Sequence, residues 1–110
     1  MPDTPRAGVL QGTLDLMILQ TLATLGPQQG YGIAARLEQV SGGALQLNMG
    51  TLYPGLIRLE GRRLITGRWR LTETSRRARF YDLTAKGRIE LERERADWAR
   101  MAAIMARVLE

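Results

Sequence analysis

Apolar residues follow a helical period in three successive segments of the first half of the chain. The first segment begins at Thr13 and ends at Leu25, where GPQQG predicts a tight connection. The second covers Tyr31–Val40, and the third begins after Asn48, a favoured N-cap residue, and ends at Gly61. Three short helices are therefore predicted, of which the last two form a helix-turn-helix. The second helix is expected to bury Ile33, Ala34, Leu37 and Val40.

The apolar pattern changes from a helical period to alternation after residue 63. Two alternating segments, LITGRWRLTE (64–73) and RARFYDL (77–83), are joined by the short polar TSR. They predict an antiparallel hairpin beside the third helix. Its apolar positions are Ile65, Trp69 and Leu71 in the first strand, and Phe80 or Tyr81 with Leu83 in the second. A helix-turn-helix followed by a hairpin is a winged helix, so the expected fold class is mainly α with a small β-hairpin (α+β).

One long helix is predicted at the end of the chain, from a cap at Thr84 to Leu109, with only Gly87 as an interruption. At ~1.5 Å per residue it is about 40 Å long, which exceeds the small domain that precedes it. Its apolar residues at three- and four-residue steps, or one heptad apart, are Leu91, Trp98, Met101, Met105 and Val108. A seam of this kind indicates pairing with another helix.

The composition argues against an enzyme and against a metal site. The 110 residues include no histidine and no cysteine, and Lys86 is the only lysine. The usual general base, the usual nitrogen and sulfur metal ligands and the common nucleophile pairs are therefore missing. We predict a single-domain protein without catalytic activity, metal or cofactor.

Neither export nor membrane insertion is predicted. The segment MPDTPRAGVLQG lacks the basic-then-apolar order of a signal peptide. The longest nearly uncharged stretch, Leu16–Ala35, is interrupted by GPQQGYG and is unsuited to one membrane-spanning helix. The expected location is the cytoplasm, with no membrane partner.

Positive charge is concentrated in one part of the chain. The net charge is +5 with a pI near 10.7, and only Glu60 and Glu73 oppose the arginines between residues 58 and 79. Those arginines are Arg58, Arg62, Arg63, Arg68, Arg70, Arg76, Arg77 and Arg79. A solvated face is the ordinary explanation for charged residues. Because the acidic residues gather on the last helix instead, we favour a phosphate-facing surface.

The third predicted helix contains residues that are unusual in a helix. The stretch NMGTLYPGLIRLE includes Gly50, Pro54 and Gly55, which oppose helix formation. Helix packing accounts for the glycines and a position in the first helical turn for the proline, while Tyr53 suits a half-buried site. Taken together, however, small residues beside a tyrosine and Arg58 favour a helix that approaches DNA closely and inserts into the major groove.

Five motifs resemble the PadR family of bacterial transcriptional regulators. They are GTLDLMILQTL (12–22), GYGIAARL (30–37), GTLYPGLIRLE (50–60), RRARFYDLTAKG (76–87) and Trp98 in the last helix. The resemblance covers nearly the whole chain and implies a homodimeric winged-helix repressor that binds double-stranded DNA at an inverted-repeat operator. It also implies three regions: a flexible N-terminal arm at 1–11, a DNA-binding domain at 12–83 and a dimerisation helix at 84–110.

The residue pattern and the resemblance together assign roles to individual positions. The residues expected to contact DNA are Tyr31, Gly32, Asn48, Gly50, Thr51, Tyr53, Arg58, Arg63, Arg68, Arg70, Arg76, Arg77 and Arg79. The residues expected at the dimer interface, on the first and last helices, are Leu14, Met17, Ile18, Leu91, Trp98, Met101, Met105 and Val108. In drug-sensing relatives a tryptophan at the place of Trp98 stacks on planar aromatic ligands, whereas a simple packing role is the alternative.

Two positions depart from the family pattern. Three alternative functions are compatible with the sequence. Arg63 replaces a glycine before LI, so the end of the third helix is expected to shift, and Gln29 replaces a histidine before GYG. The protein is either a repressor released by a small aromatic effector, a regulator without such an effector, or a winged helix used only for protein–protein contact. The arginine-rich hairpin argues against the last form.

Overall fold

The computed structural model describes residues 7–110 and confirms the winged-helix prediction. Four helices surround a small antiparallel sheet with the strand order β1-β3-β2. In chain order the elements are α1 (Ala7–Leu25), β1 (Gln28–Gln29), α2 (Gly30–Val40), α3 (Met49–Gly61), β2 (Ile65–Leu71), β3 (Arg77–Leu83) and α4 (Ala85–Val108). No helix in the described part of the chain is long and apolar enough to cross a membrane.

The beginning of the chain differs from the prediction in two ways. Helix α1 begins at Ala7 rather than Thr13, so it includes part of the segment expected as an arm, while residues 1–6 lie outside the described part. The segment GPQQG is more than a connection, because Gln28 and Gln29 pair with Tyr81 and Phe80 as the third strand of the sheet. A two-residue strand has no periodic signal, and only the free edge of β3 creates it.

The core forms where α1, α2 and α3 close on the base of the hairpin. Its buried side chains are Leu14, Ile18, Leu19, Leu22, Ile33, Leu37, Leu52, Leu56, Leu59, Leu64, Ile65, Tyr81, Leu83 and Leu91. Ile33 and Leu37 are buried as predicted and Ala34 packs against them, but the prediction for Val40 is wrong. Val40 is the last residue of α2, lies on the rim of an open cavity of about 260 Å³ between α1 and α2, and remains 65% exposed.

The hairpin extends beyond the core and forms the wing, residues 65–83. Its register runs from Ile65 opposite Leu83 to Leu71 opposite Arg77. Ile65 and Leu83 are buried, whereas Trp69 and Leu71, on the same face, are 57% and 69% exposed. The expectation that they would pack with Ile65 is wrong because the outer half of the hairpin projects past the helices. Of the two aromatic candidates in β3, Tyr81 is the buried one.

Helix α4 begins in close contact with the end of α3. Both predicted caps are present: the Asn48 side chain accepts a hydrogen bond from the Thr51 N–H, and the Thr84 hydroxyl accepts one from the Gly87 N–H. A Cβ atom at Gly87 would lie 2.0 Å from the Leu64 carbonyl oxygen. Residue 87 therefore has no side chain because the backbone of α4 passes directly against the backbone that follows α3.

Candidate nucleic-acid interface

The outward side of α3 carries few polar groups. Gly50, Pro54, Ile57 and Gly61 recur at three- and four-residue steps and are all exposed, on the side of the helix opposite the buried leucines. Tyr53 beside them is 47% exposed. This side is therefore free of the protein core, narrow at its two ends, where the glycines lie, and bordered by the phenol of Tyr53.

Pro54 does not lie in the first turn of α3, as the sequence prediction required. The helix begins at Met49, which makes Pro54 its sixth residue. Because proline has no N–H, it leaves the Gly50 carbonyl without its helical donor. Both residues are exposed, so this carbonyl can be satisfied by solvent or by a ligand rather than by the protein.

Arg58 is held between α3 and α1. Its Nη2 donates to Asp15 Oδ1 at 2.8 Å, and the Arg58 Nε is buried without a hydrogen-bond partner among residues 7–110. A Cβ at Gly55 would lie 3.2 Å from Ile18 Cδ1 and 3.4 Å from Arg58 Nη2. Gly55 thus serves close helix packing, and Arg58 contributes to the position of α3 in addition to the charge of the surface.

Arg63 occupies the position that a glycine usually takes after a helix. The Arg63 N–H donates to the Glu60 carbonyl and the Leu64 N–H to the Leu59 carbonyl, each at 2.9 Å, which is a Schellman motif. Arg63 adopts a φ of +63° to close it. The end of α3 therefore does not shift, contrary to the expectation, and the side chain of Arg63 is exposed beside the wing.

The arginines of the wing are divided between its two faces. Directly opposed residues share a face, so Arg77 and Arg79 lie with Trp69 and Leu71, while Arg68 and Arg70 lie with Phe80 on the other face. Guanidinium groups stack on the aromatic rings: Arg77 lies 5.2 Å from the centroid of Trp69, and Arg70 lies 4.8 Å from that of Phe80. Stacking of this kind orders long side chains without removing their charge.

Glu60 joins α3 to the wing, a role that sequence reasoning missed. Its Oε2 accepts hydrogen bonds from the Gly67 N–H at 3.1 Å and from Arg79 Nη2 at 2.8 Å. A Cβ at Gly67 would lie 2.6 Å from Arg79 Nε, so the missing side chain makes room for the guanidinium. The only signal in the sequence was an acidic residue within a basic segment, which looked like simple charge opposition.

Five of the arginines between residues 58 and 79 remain available to a ligand: Arg63, Arg68, Arg70, Arg76 and Arg77. All are exposed, and within residues 7–110 none of them forms an ion pair. Arg58 and Arg79, predicted as contacts with them, are instead partly buried and paired with Asp15 and Glu60.

The start of α2 faces the wing. Tyr31 is 66% exposed and lines, with Phe80 and Arg77, an open cavity of about 930 Å³ between α2 and the hairpin. A Cβ at Gly32 would meet the side-chain oxygen of Gln28 at 2.8 Å. Tyr31 therefore belongs to the basic side of the molecule, while Gly32 allows α2 to lie close to β1. Of the remaining predicted contacts, Asn48 is exposed and Thr51 is partly buried.

The residues predicted for the dimer interface fall into two groups. Leu14, Ile18 and Leu91 are buried within the single chain and Met17 is partly buried. Trp98, Met101, Met105 and Val108 are between 47% and 70% exposed, and their neighbours Ile104 and Leu109 are 50% and 75% exposed. The second half of α4 therefore presents a long apolar surface that the described chain does not cover.

Acidic residues gather where α1, α3 and α4 meet. Glu90 binds Arg93 at 2.8 Å and Arg62 at 3.5 Å. Burial and a hydrogen bond with Glu90 raise the pKa of Glu94 to about 7, whereas the bonds from Arg93 and Glu94 lower the pKa of Glu90. Glu94 and Trp98 line an open groove of about 490 Å³ between α1 and α4. No cluster of potential metal ligands occurs among the described residues.

Solved structures with the same fold include several regulators. A transcriptional regulator from Clostridium thermocellum superposes with a TM-score of 0.84 at 23% identity, over 94% of this chain and 99% of that one. A PadR family transcriptional regulator from Eggerthella lenta gives 0.79 at 25% identity, over 94% and 87%. One from Clostridium difficile gives 0.73 at 27% identity, over 88% and 98%.

A curated relative and a family match complete the comparison. An uncharacterized 37.1 kDa protein in transposon TN4556 of Streptomyces fradiae is 42% identical over 87 residues, which is 79% of this chain but 23% of that protein. The chain thus spans about a quarter of that relative. Residues 18–93 match the family described as the transcriptional regulator PadR-like family. The chain belongs to the PadR-like family, whose members are transcriptional regulators and not enzymes.

Proposed function

We propose that the protein is a homodimeric repressor that binds an inverted-repeat operator through α3 and the wing. The observation that carries this proposal is the set of five exposed, unpaired arginines on the wing and at the end of α3. They lie on the wing and at the end of α3, and the outward side of α3, with Gly50 and Gly61 at its ends, can approach a major groove closely. Such a regulator would act in the cytoplasm.

Helix α3 and the wing are proposed to contact different parts of the DNA. Helix α3 enters the major groove, where Gly50, Thr51 and Tyr53 come near the bases and the adjacent phosphates. Arg68, Arg70, Arg76 and Arg77 bind phosphates on either side of the wing, and such contacts position the protein without distinguishing sequences. Glu60 keeps α3 and the wing at one angle, since it lies on α3 and its carboxylate accepts hydrogen bonds from both strands of the wing.

Dimerisation is proposed through α4 together with α1. The apolar surface of α4 contains Trp98, Met101, Ile104 and Met105, all about half exposed in the single chain. A second copy of the chain would cover this surface and place two α3 helices about one helical turn of DNA apart, ~10 bp between half-site centres. Sedimentation at micromolar concentration tests this step: a monomer would contradict it.

A planar aromatic effector is proposed to act at Trp98. The indole is 53% exposed and lines the groove between α1 and α4, so a flat ligand can reach it. The variant Trp69→Phe leaves Trp98 as the only tryptophan, and its fluorescence should fall when planar dyes are added. Absence of quenching at hundred-micromolar dye would leave Trp98 a packing role and the regulator without such an effector.

The salt dependence of DNA binding tests the proposal as a whole. If each subunit contacts about four phosphates, a dimer contacts about eight, and the logarithm of the association constant should fall with the logarithm of salt concentration at a slope near −7. A slope between zero and about −2 on every duplex would contradict DNA binding. It would favour a winged helix that binds only other proteins.

A further inference from the structure

We infer that α3 selects its operator through the methyl groups of thymine, which contact Ile57, Pro54 and Tyr53, and not through hydrogen bonds to guanine or adenine. This inference rests on the proposed function, because it assumes that the outward side of α3 faces the major groove. It adds the chemistry of recognition, which neither the fold nor the family match specifies.

The outward side of α3 offers apolar contact in the place where polar readout is usual. Ile57 lies near the middle of this side, is 57% exposed and has Gly50 and Gly61 at the two ends of the same stripe. With glycine at both ends, the helix can approach the base edges closely. The branched side chain of Ile57 would then be the group that projects furthest toward them.

The polar side chains of α3 are occupied elsewhere. Asn48 caps the helix through Thr51, and Arg58 is bound to Asp15. Glu60 is bound to Gly67 and Arg79. Between Met49 and Gly61 no arginine, lysine, asparagine or glutamine lies on the outward stripe. Two hydroxyl groups of α3 remain beside the stripe, that of the exposed Tyr53 and that of the partly buried Thr51.

The chemical groups on the edges of the DNA bases determine which bases the outward side of α3 should prefer. Recognition of guanine usually requires arginine or lysine at its N7 and O6 atoms, and recognition of adenine requires asparagine or glutamine. Thymine differs from the other bases by a methyl group in the major groove, which apolar side chains contact. A stripe of proline and isoleucine, bordered by tyrosine, therefore matches a half-site in which thymines face α3.

The charge around the stripe favours DNA over a protein partner as its occupant. Arg63 and the wing arginines Arg68, Arg70, Arg76 and Arg77 are exposed and unpaired within the described residues. A protein that binds these arginines would need to be equally acidic, whereas the DNA backbone carries negative phosphates on both sides of a groove. The apolar stripe itself is only a few side chains wide, less than a stable protein interface needs.

Selection from a random pool of duplexes, followed by replacement of thymine with deoxyuridine, tests the inference. The enriched half-site should contain A·T pairs at its centre. Deoxyuridine lacks only the methyl group, so each contacted thymine that is replaced should weaken binding about fourfold. One replacement in each half-site should give about fifteenfold, with an unchanged salt slope.

The side chain responsible is identified with a matched pair of variants. Ile57→Ala should lose the discrimination between thymine and deoxyuridine at the position that Ile57 contacts, while it keeps the wild-type melting curve and salt slope. Ile89→Ala removes an isoleucine from α4 that is also largely exposed, at 73%, and should keep the discrimination.

The outcomes separate the inference from the proposed function. Specific binding that is unaffected by deoxyuridine, or a selected core of G·C pairs, would overturn methyl recognition and leave the repressor proposal intact. Binding to all duplexes alike would also overturn it. A shallow salt slope on every duplex would overturn both.

Discussion

The wing and α4 are both rich in arginine, but they place it in opposite surroundings. On α4, Arg93, Arg95 and Arg100 each lie three residues after an acidic partner and form ion pairs with it. On the wing, Arg68, Arg70, Arg76 and Arg77 have no acidic partner in the described chain and stack on aromatic rings or project into solvent.

This difference shows that neighbours decide what a charged residue does. Pairs at three-residue spacing on an exposed helix neutralise each other and contribute little to stability, so that the second half of α4 is apolar on one side and nearly balanced in charge on the other. Unpaired arginines retain their full charge for a phosphate backbone. The net charge of +5 is therefore concentrated on the side that carries α3.

The largest change in stability is expected at Gly87, in the first turn of α4, which packs against the segment that leads into the wing. Gly87→Ala places a Cβ against the Leu64 carbonyl, which lies 2.0 Å away, and neither backbone can yield without separating α4 from α3. We expect a loss of about 3 kcal/mol or more in the free energy of unfolding, measured with urea. The control Gly61→Ala, whose Cβ meets nothing within 4 Å, should change it by less than about 1 kcal/mol. Equal stability of both variants would show that α4 is not anchored there.

Removal of wing charge is expected to have the next largest effect. Arg76→Ala or Arg77→Ala should weaken binding to all duplexes about tenfold and reduce the salt slope by about two per dimer, because each subunit loses one phosphate contact. Arg107→Ala, an exposed arginine in the last turn of α4, should change neither quantity. Loss of operator binding alone, with random DNA still bound, would contradict a role in phosphate contact.

A smaller effect is expected at Arg63, where replacement by glycine should increase stability but weaken DNA binding. Arg63→Gly relieves a left-handed residue and should raise the free energy of unfolding by about 1 kcal/mol. Because it also removes a cation near α3, the salt slope should become shallower. Ser75→Gly, at the other non-glycine residue with positive φ, should stabilise similarly without changing the slope. A destabilised Arg63→Gly would mean that its side chain is needed by the fold.

The smallest effect is a dependence of stability on pH that arises on α4. The pKa of Glu94 in the folded chain is about 7, raised from its usual 4.5, so the folded state keeps a proton that the unfolded chain has released. Stability from this group is therefore present at low pH and is lost as pH rises through about 7. Glu90, whose pKa is lowered, acts in the opposite direction and loses its contribution as pH falls.

The variant Glu94→Gln isolates that contribution. It should flatten the decline in melting temperature between pH 5 and pH 8, while Glu92→Gln on the exposed side of the same helix should leave the wild-type profile unchanged. If the melting temperature of Glu94→Gln declines as it does in the wild type, a different titrating group causes the decline.

Local signals in the sequence were enough to predict most of the fold. The helical periods, the caps Asn48 and Thr84 and the alternation after residue 63 depend on neighbours within a few residues, and the structure confirms the elements that they predict. The sequence predicted Gly87 only as an interruption of α4, whereas the structure shows that a glycine is needed there because the Leu64 carbonyl, from the turn before β2, lies against it.

The sequence by itself determined the winged helix, the family and the separation of basic and acidic residues, because these follow from period, motif and composition. Only the tertiary structure decided which arginines are free, since Asp15 and Glu60 meet Arg58 and Arg79 across 43 and 19 residues. It also decided that Trp69 and Leu71 are exposed and that Gln28 and Gln29 form a strand. Burial and pairing are set by distant segments that reach the same place, and no local pattern records them.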